Sequence, residues 1–183
     1  MRKIPTLFVR DPDDPRTITE TITPGCEWVM AGEGTATRKY DGTCVMFDGQ
    51  HWWTRREVKP GKTVPTGYVL LETDEVTGKS VGWEPAERSS FAKFLVEATA
   101  RRYPAAFIGT YELIGPRING NPEDVTDHQL RRHADAEPIH DAPRDFHGLR
   151  TFLETFHGEG IVWHHPDGRM AKIKRRDFGY SAI

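Results

Sequence analysis

The sequence predicts an α+β fold with largely antiparallel sheets flanked by helices. Two observations support this fold class: apolar, β-branched runs separated by short turn sequences indicate hairpins, and two other segments carry apolar residues at helical spacing. Hairpins interrupted by helices favour α+β over a doubly wound parallel sheet, because parallel strands require helical crossovers. A length of 183 residues suits one domain, and we expect residues 1–183 to form a single one.

The strand predictions rest on β-branched and aromatic runs bounded by turn residues. The run at 43–47 is followed by Asp48-Gly49, which is typical of a hairpin turn, and then by a return strand. Before the final segment, the predicted strands span 43–47, 51–58, 69–73 and 107–114. The last predicted hairpin joins 160–164 to 169–174 through His165-Pro166-Asp167-Gly168, a sequence whose residues favour turns.

Two helices are predicted from apolar residues that recur on one face. The first begins near 89–90 and runs to about Arg102, and Pro104 ends it because proline cannot continue a helix. The second is capped by Asp145 and ends at Gly158.

Composition sets limits on function. Lysine and arginine number 25 against 27 aspartates and glutamates, so a nucleic-acid partner has to be recognised by local patches rather than by net charge. Cys26 and Cys44 have no metal-ligand spacing, which indicates a reduced protein, and the scattered histidines are interpreted as surface residues. No apolar run approaches the roughly 18 residues that span a bilayer. We therefore expect a cytoplasmic protein with no membrane partner.

The tetrapeptide Lys39-Tyr40-Asp41-Gly42 precedes the 43–47 strand and is the first candidate for chemistry. A lysine acts as a nucleophile only when its amine is deprotonated, which requires cationic neighbours or burial. Taken alone, so short a pattern is more often a solvated turn lysine.

Two further elements lie near the C-terminal end of the sequence. Glu159-Gly160 enters a predicted strand, where glycine permits close approach and the carboxylate is suited to a hard cation such as Mg²⁺; the alternative is an ordinary helix-to-strand junction. Lys172 and Lys174 share one face of the last strand, since side chains alternate. Their mutual repulsion favours a bound anion, and the alternative is an edge strand protected by lysines.

Glu112 lies inside an otherwise apolar predicted strand. A carboxylate in that setting needs a partner, which is a metal ion, a ribose hydroxyl or a buried cation. A structural ion pair is the alternative to a functional role.

The order of these elements resembles motifs I, III, IV and V of the covalent nucleotidyltransferases, which comprise DNA ligases, RNA ligases and mRNA-capping enzymes. The resemblance covers about residues 36–178. It is most similar to small RNA ligases in the segment Glu112-Leu113-Ile114-Gly115-Pro116, followed by Ile118 and Asn121-Pro122. Only nine residues follow Lys174, so we expect no C-terminal OB domain. The family implies a nucleotidyltransferase (adenylation) domain.

The resemblance also implies a mechanism. Lys39 attacks the α-phosphorus of ATP and becomes lysyl-AMP, the AMP moves to an RNA 5′-phosphate, and a 3′-hydroxyl then seals the strand. Lys172 and Lys174 hold the α-phosphate and, by like-charge repulsion, help to keep Lys39 uncharged. The implied cofactors are ATP, as AMP donor, and Mg²⁺ or Mn²⁺.

Other residues receive roles from the same resemblance. Asp41 and Glu159 arrange the metal ion or its waters, and Glu112 contacts ribose or metal. Arg55 and Arg56 are both candidates for a phosphate-holding arginine. They have opposite strand parity, so only one of them faces the nucleotide.

The expected partner is RNA with 5′-phosphate and 3′-hydroxyl ends, and an end-processing protein is a possible second partner. The run Lys172–Arg176 forms a basic strip on which nucleic acid could dock, or else a solvated charge run. One alternative function is a DNA ligase-like or GTP-using capping-type enzyme. The other is a non-catalytic RNA-binding domain, which has no need of a nucleophile.

Overall fold

A computed structural model of the chain describes residues 2–102 and 107–181. In these ranges the strands are β1 (Phe8–Arg10), β2 (Ile18–Ile22), β3 (Thr35–Lys39), β4 (Thr43–Phe47), β5 (Trp52–Val58), β6 (Val69–Thr73), β7 (Ser80–Pro85), β8 (Gly109–Ile114), β9 (Gln129–Arg132), β10 (Gly160–His164) and β11 (Met170–Lys174). The α-helices are α1 (Glu27–Met30), α2 (Ala92–Arg102) and α3 (Phe146–Glu154). Short 3₁₀ helices span Ala86–Arg88, His133–Asp135 and Arg175–Phe178. Of the described helices, none combines the length and apolar character needed to cross a bilayer.

The chain divides into two compact units. One comprises Ile4–Tyr40 and Ala136–Ile183 and is called here the Lys39 unit. The other comprises Met1–Lys3 and Asp41–Asp135 and is called the Glu112 unit. The prediction of a single domain stays a prediction.

The Lys39 unit is built on an antiparallel sheet with the strand order β11-β10-β3. Apolar side chains from one face of this sheet pack against α3, and Trp163, Ile161 and Leu149 are completely buried there. The carboxylate of Asp145 accepts a hydrogen bond from the Gly148 N–H at 2.8 Å, which confirms the predicted cap of α3.

Arg175 connects the end of β11 to the end of α3. Its guanidinium is buried and donates to the carbonyl oxygens of Leu153, Glu154 and Phe156 at 2.6, 3.0 and 2.9 Å. Carbonyls at a helix C-terminus have no partner within the helix, and a cation there also meets the negative end of the helix dipole. The interpretation of 172–176 as one exposed basic strip is therefore wrong for Arg175.

The Glu112 unit contains, in its described residues, a six-stranded antiparallel sheet with the order β6-β7-β5-β4-β8-β9. Val45, Tyr111 and Leu113 lie on one face and pack with Leu95 and Ala98 of α2. The opposite face carries Glu112, because neighbouring residues of a strand point to opposite sides.

The α+β fold with mostly antiparallel pairing is confirmed, as are the strands at 43–47 and 69–73. Other boundaries moved by a few residues: β5 begins at Trp52, β8 at Gly109 and β11 at Met170. The first helix begins at Ala92, and its predicted stop at Pro104 lies outside the described residues. The second ends at Glu154, four residues before Gly158.

The most consequential missed strand is β3. Lys39 was expected just before the 43–47 strand, whereas it is the last residue of a strand of its own. β3 pairs with β10, from which it is separated by most of the chain, and such non-local pairing leaves little trace in local patterning.

Candidate active site

Three residues on adjacent strands form a row across the sheet of the Lys39 unit. Gly160 of β10 pairs with Lys39 of β3 on one side and with Lys174 of β11 on the other. Directly opposed residues in an antiparallel pair point to the same face, so the two lysine side chains emerge on one face with only a glycine between them.

Glu159 occupies the space between the two ammonium groups. Lys39 Nζ donates to its Oε2 and Lys174 Nζ donates to its Oε1. The exposed fractions of the three side chains are 20% for Lys39, 10% for Glu159 and 11% for Lys174. A carboxylate of the protein itself thus bridges Lys39 and Lys174. The anion predicted between Lys172 and Lys174 stays a prediction.

Burial and charge act in opposite directions on Glu159. Burial raises the pKa of its carboxyl, but the positive charges of Lys39 and Lys174 outweigh burial and hold the pKa below its usual value. For Lys174, burial lowers the pKa of the ammonium, the nearby charge of Lys39 lowers it further, and Glu159 only partly offsets both effects. Burial and the charge of Lys39 therefore leave the pKa of Lys174 below its usual value, in spite of the carboxylate beside it.

Gly160 is required by the closeness of the strands. A Cβ at this position would lie 2.1 Å from the carbonyl oxygen of Ile173 and 2.7 Å from the Cα of Lys174. Both neighbours are backbone atoms, so a larger residue would push β11 away and change the spacing of the two lysines. The close approach predicted for glycine at position 160 is confirmed.

Lys172 lies on the same face as Lys174, one row further along, opposite Val162, which in turn pairs with Thr37. Its backbone is fully paired: its N–H donates to the Pro5 carbonyl at 3.0 Å, and its carbonyl accepts from Leu7 N–H at 2.8 Å. β11 is an edge strand of its three-stranded sheet, but at Lys172 the edge is not open, because residues 5–7 pair with the strand there.

In the Glu112 unit, Glu112 is buried at 8% exposure and both of its carboxylate oxygens are engaged. Oε1 accepts from the Gly42 N–H at 3.1 Å, and Oε2 lies 3.0 Å from His133 Nε2. The other ring nitrogen of His133 lies 2.9 Å from the hydroxyl of Thr110. The carboxylate has the partner that its apolar strand required, and that partner is a histidine.

Asp41 is also held within the Glu112 unit. Its carboxylate accepts from Asn119 Nδ2 at 2.9 Å, and its backbone N–H donates to Glu123 at 2.9 Å. Asn119 has a positive φ of 48°, a conformation that asparagine tolerates better than most residues. The Lys-x-Asp-Gly motif is therefore divided between the two units, with Lys39 in one and Asp41 in the other.

Sheet register places the two candidate arginines on opposite faces of the sheet. Thr54 pairs with Val45 on the face covered by α2, and Cys44 pairs with Glu112 on the other face. Strand alternation then places Arg55 on the Glu112 face and Arg56 on the opposite one. Arg56 lies 3.7 Å from the buried carboxylate of Glu84, so its position there is explained by a structural ion pair.

The predicted site residues are distributed over both units. The Lys39 unit brings together Lys39, Glu159, Lys172 and Lys174, and the Glu112 unit holds Asp41, Arg55, Arg56 and Glu112. Among the described residues there is no cluster of three or more histidine, cysteine, aspartate or glutamate side chains placed to hold a metal ion. Both oxygens of Glu159 are already bound by ammonium groups, so it does not fit a resident metal ligand in this arrangement.

Sequence reasoning missed the histidines. His133 contacts Glu112, His164 Nε2 lies 3.0 Å from the Thr37 hydroxyl, and His128 is 9% exposed and stacked on Phe94. The interpretation of the histidines as surface residues is wrong for His128, which is buried, whereas His133 and His164 are half-buried. Alternation of Gln129, Leu130 and Arg131 carries a weak strand signal, but no local pattern indicates that the next residues meet Glu112.

The fold and the site together define an α+β protein with mostly antiparallel sheets and a carboxylate-bridged lysine pair, in which Lys174 is buried and Lys39 is half-buried. No protein-family model matches the sequence. The sequence is similar to RNA ligase 1 of Rattus norvegicus, with 28% identity over 173 residues, an alignment that covers 70% of this chain and 51% of that protein. The chain thus spans about half the length of the curated relative it matches.

Proposed function

We propose that this chain is an ATP-dependent RNA ligase that joins an RNA 5′-phosphate to a 3′-hydroxyl through AMP carried on Lys39. The observation that carries the proposal is the row Lys39–Gly160–Lys174, in which Glu159 bridges the two amines. The similarity to a protein named RNA ligase 1 supports the reaction class. The enzyme type is a covalent nucleotidyltransferase.

In the first step, the neutral amine of Lys39 attacks the α-phosphorus of ATP. A P–N bond forms, the bond to the β-phosphate oxygen breaks, pyrophosphate leaves and the amine loses a proton. Lys174, on the same face, is the cation that meets the charge developing on the α-phosphate oxygens, and Lys172 is the next cation along that face.

Two phosphoryl transfers complete the reaction. An oxygen of the RNA 5′-phosphate attacks the lysyl-AMP phosphorus, the P–N bond breaks and Lys39 regains a proton. The 3′-hydroxyl then attacks the RNA 5′-phosphorus, loses its proton and releases AMP. Each step places negative charge on non-bridging oxygens, so fixed lysines serve all three.

The paired lysines also address the protonation of the nucleophile. A lysine amine is charged at neutral pH in water, and only its neutral form attacks phosphorus. The ammonium of Lys174 opposes protonation of an amine beside it, and Lys172 and Lys174 attract the triphosphate. Glu159 holds Lys39 in place before the substrate arrives.

The remaining roles are proposed from the family resemblance. Divalent metal enters with ATP as part of the substrate, with its usual shell of waters and phosphate oxygens. The roles of Asp41 and Glu159 toward that shell stay predictions from the resemblance. Glu112 contacts the ribose, and Arg55 is preferred over Arg56 as the phosphate-holding arginine because it shares a face with Glu112.

Label transfer tests the proposal. The purified chain is incubated with Mg²⁺ and ATP labelled at the α-phosphate, denatured, and examined for label on the protein. We expect label from ATP in the wild type, none in Lys39→Arg, which keeps the positive charge, and unchanged label in Lys93→Ala, an exposed lysine of α2. The label should be lost in acid and kept in alkali, as a P–N bond requires.

Two results would contradict the proposal. Label from GTP alone would instead indicate capping chemistry. A folded wild-type chain that takes no label from either nucleotide, with Mg²⁺ or with Mn²⁺, would contradict the hypothesis that the chain is an enzyme and would favour the RNA-binding alternative.

A further inference from the structure

A groove with a volume of about 730 Å³ lies in the Lys39 unit, separate from the row of lysines. Three arginines line it, Arg10, Arg16 and Arg176, together with the aromatic ring of Tyr180. This volume is within the range of ligand-binding pockets. The combination of guanidinium groups and an aromatic surface is typical of sites for single-stranded nucleic acid.

The wall of the groove is built on a buried carboxylate. Asp177 is 1% exposed, its Oδ2 accepts from the Lys174 N–H at 2.9 Å, and its Oδ1 accepts from the Arg10 guanidinium at 2.7 Å. Arg10 also donates to the Arg16 carbonyl at 3.2 Å. One carboxylate thus fixes Arg10 to the backbone of the proposed catalytic strand, and the groove begins where β11 ends.

The charge of the groove is locally positive although the chain as a whole is slightly acidic. Asp177 neutralises Arg10. Asp14 lies 2.9 Å from Arg16, whose side chain is 89% exposed and keeps N–H groups that Asp14 does not bind. Arg176 is exposed, and no carboxylate of the described residues forms an ion pair with it. Three guanidinium groups against two carboxylates leave an unneutralised cation at the groove, where a phosphate can bind.

We propose that this groove binds the phosphate backbone of the RNA strand whose end is joined, with Arg16 and Arg176 at phosphates and Tyr180 beneath a base. The inference rests on the proposed function. A nucleic acid fits better than an acidic peptide, because the groove offers planar donors for phosphate and an aromatic face for a base. Binding there places the strand beside the C-terminal end of β11, next to Lys174.

The test separates RNA binding from the ATP reaction. Affinity for a short fluorescein-labelled single-stranded RNA is measured by fluorescence anisotropy, over a range of salt concentrations, for wild type, Arg176→Ala, Arg16→Ala and the double variant. Label transfer from ATP, which needs no RNA, is measured on the same preparations. Arg150→Ala, an exposed arginine of α3, is the matched control.

We expect each single variant to weaken RNA binding by about tenfold, equivalent to about 1.4 kcal/mol. The slope of the logarithm of the binding constant against the logarithm of the salt concentration should become less steep by about 0.7 for each lost phosphate contact. Lysyl-AMP formation should persist, and Arg150→Ala should bind RNA like wild type. Unchanged RNA affinity in the double variant, or an equal loss in Arg150→Ala, would overturn the groove assignment while leaving the ligase proposal standing.

Two further outcomes are distinguishable. If polyglutamate binds more tightly than RNA and loses affinity in the same variants, the groove takes an acidic peptide and the assignment to RNA is overturned. If wild type takes no label from ATP, the proposed function fails, and loss of RNA affinity in the variants would still establish the groove as a nucleic-acid site.

Discussion

Lys39 and Glu159 form an ion pair within the Lys39 unit although 120 positions separate them in the sequence. The same carboxylate also holds Lys174. Because Glu159 is the shared partner of the buried Lys174 and the half-buried Lys39, its removal affects both the stability of the sheet and the electrostatics of the proposed nucleophile.

We expect Glu159→Gln to lower the free energy of unfolding by about 3 kcal/mol, the range seen when one partner of a buried ion pair is removed and the remaining charge is left uncompensated. Urea denaturation measures this. Glu20→Gln is the control, since Glu20 lies 3.7 Å from His147 in an exposed pair, and such pairs contribute about 0–1 kcal/mol. An equal loss of unfolding free energy in the two variants would contradict the role of Glu159 as the shared partner of Lys39 and Lys174.

The same carboxylate predicts a pH dependence. The pKa of Glu159 is lower in the folded state than its usual value of 4.5, so the unfolded chain binds more protons as the pH falls. Its stabilising contribution is complete above pH 4.5 and is lost as the pH falls through the folded-state pKa. The stability difference between wild type and Glu159→Gln, measured with a metal chelator present, should therefore shrink on acidification. A difference that is constant with pH would argue against the shift.

Gly160→Ala should remove label transfer from ATP and destabilise the chain by about 1–3 kcal/mol, as overpacking does, because its Cβ meets backbone atoms of β11. Gly168→Ala is a matched control in the turn of the same hairpin. Gly168 has a φ of +92° but open space around it, so the variant is strained without moving the lysines. We expect it to keep label transfer. Activity in Gly160→Ala would show that the row spacing is unimportant.

His133→Ala should destabilise the Glu112 unit by about 1–3 kcal/mol, since it leaves a buried carboxylate oxygen without its partner. Hydrogen exchange of the β8 amides reports this locally. His133→Gln supplies a donor of similar reach and should recover part of the protection, whereas His51→Ala, at an exposed side chain of the same unit, should have no effect. Equal exchange in His133→Ala and His51→Ala would contradict the role of His133.

Arg175 and Arg176 are adjacent and should behave oppositely. Arg175→Ala should lower the thermal stability strongly, by about 3 kcal/mol, because three carbonyls lose a charged donor. Arg176→Ala should stay within about 0.5 kcal/mol of wild type, as exposed substitutions do. Thermal unfolding of the two variants measures this difference. Similar melting temperatures for both would contradict the structural role of Arg175 and favour the interpretation of both arginines as exposed.

The fold class and the local placement of several candidate site residues could be predicted from the sequence, because these depend on short-range patterns. Alternation, turn residues and helix periodicity located β4, β6, β10 and α3 to within a few residues. The same alternation placed Lys172 and Lys174 on one face, and the apolar surroundings of Glu112 indicated that it has a partner.

Non-local pairing was decided only by the tertiary structure. The row Lys39–Gly160–Lys174 depends on the pairing of β3 with β10. The faces on which Arg55 and Arg56 lie depend on the register of β5 against β4. The partner of Glu112 comes from the residues that follow β9. Local patterning determines which way a side chain points from its own strand. Which strand lies beside it depends on long-range packing free energy, summed over residues distant in the chain.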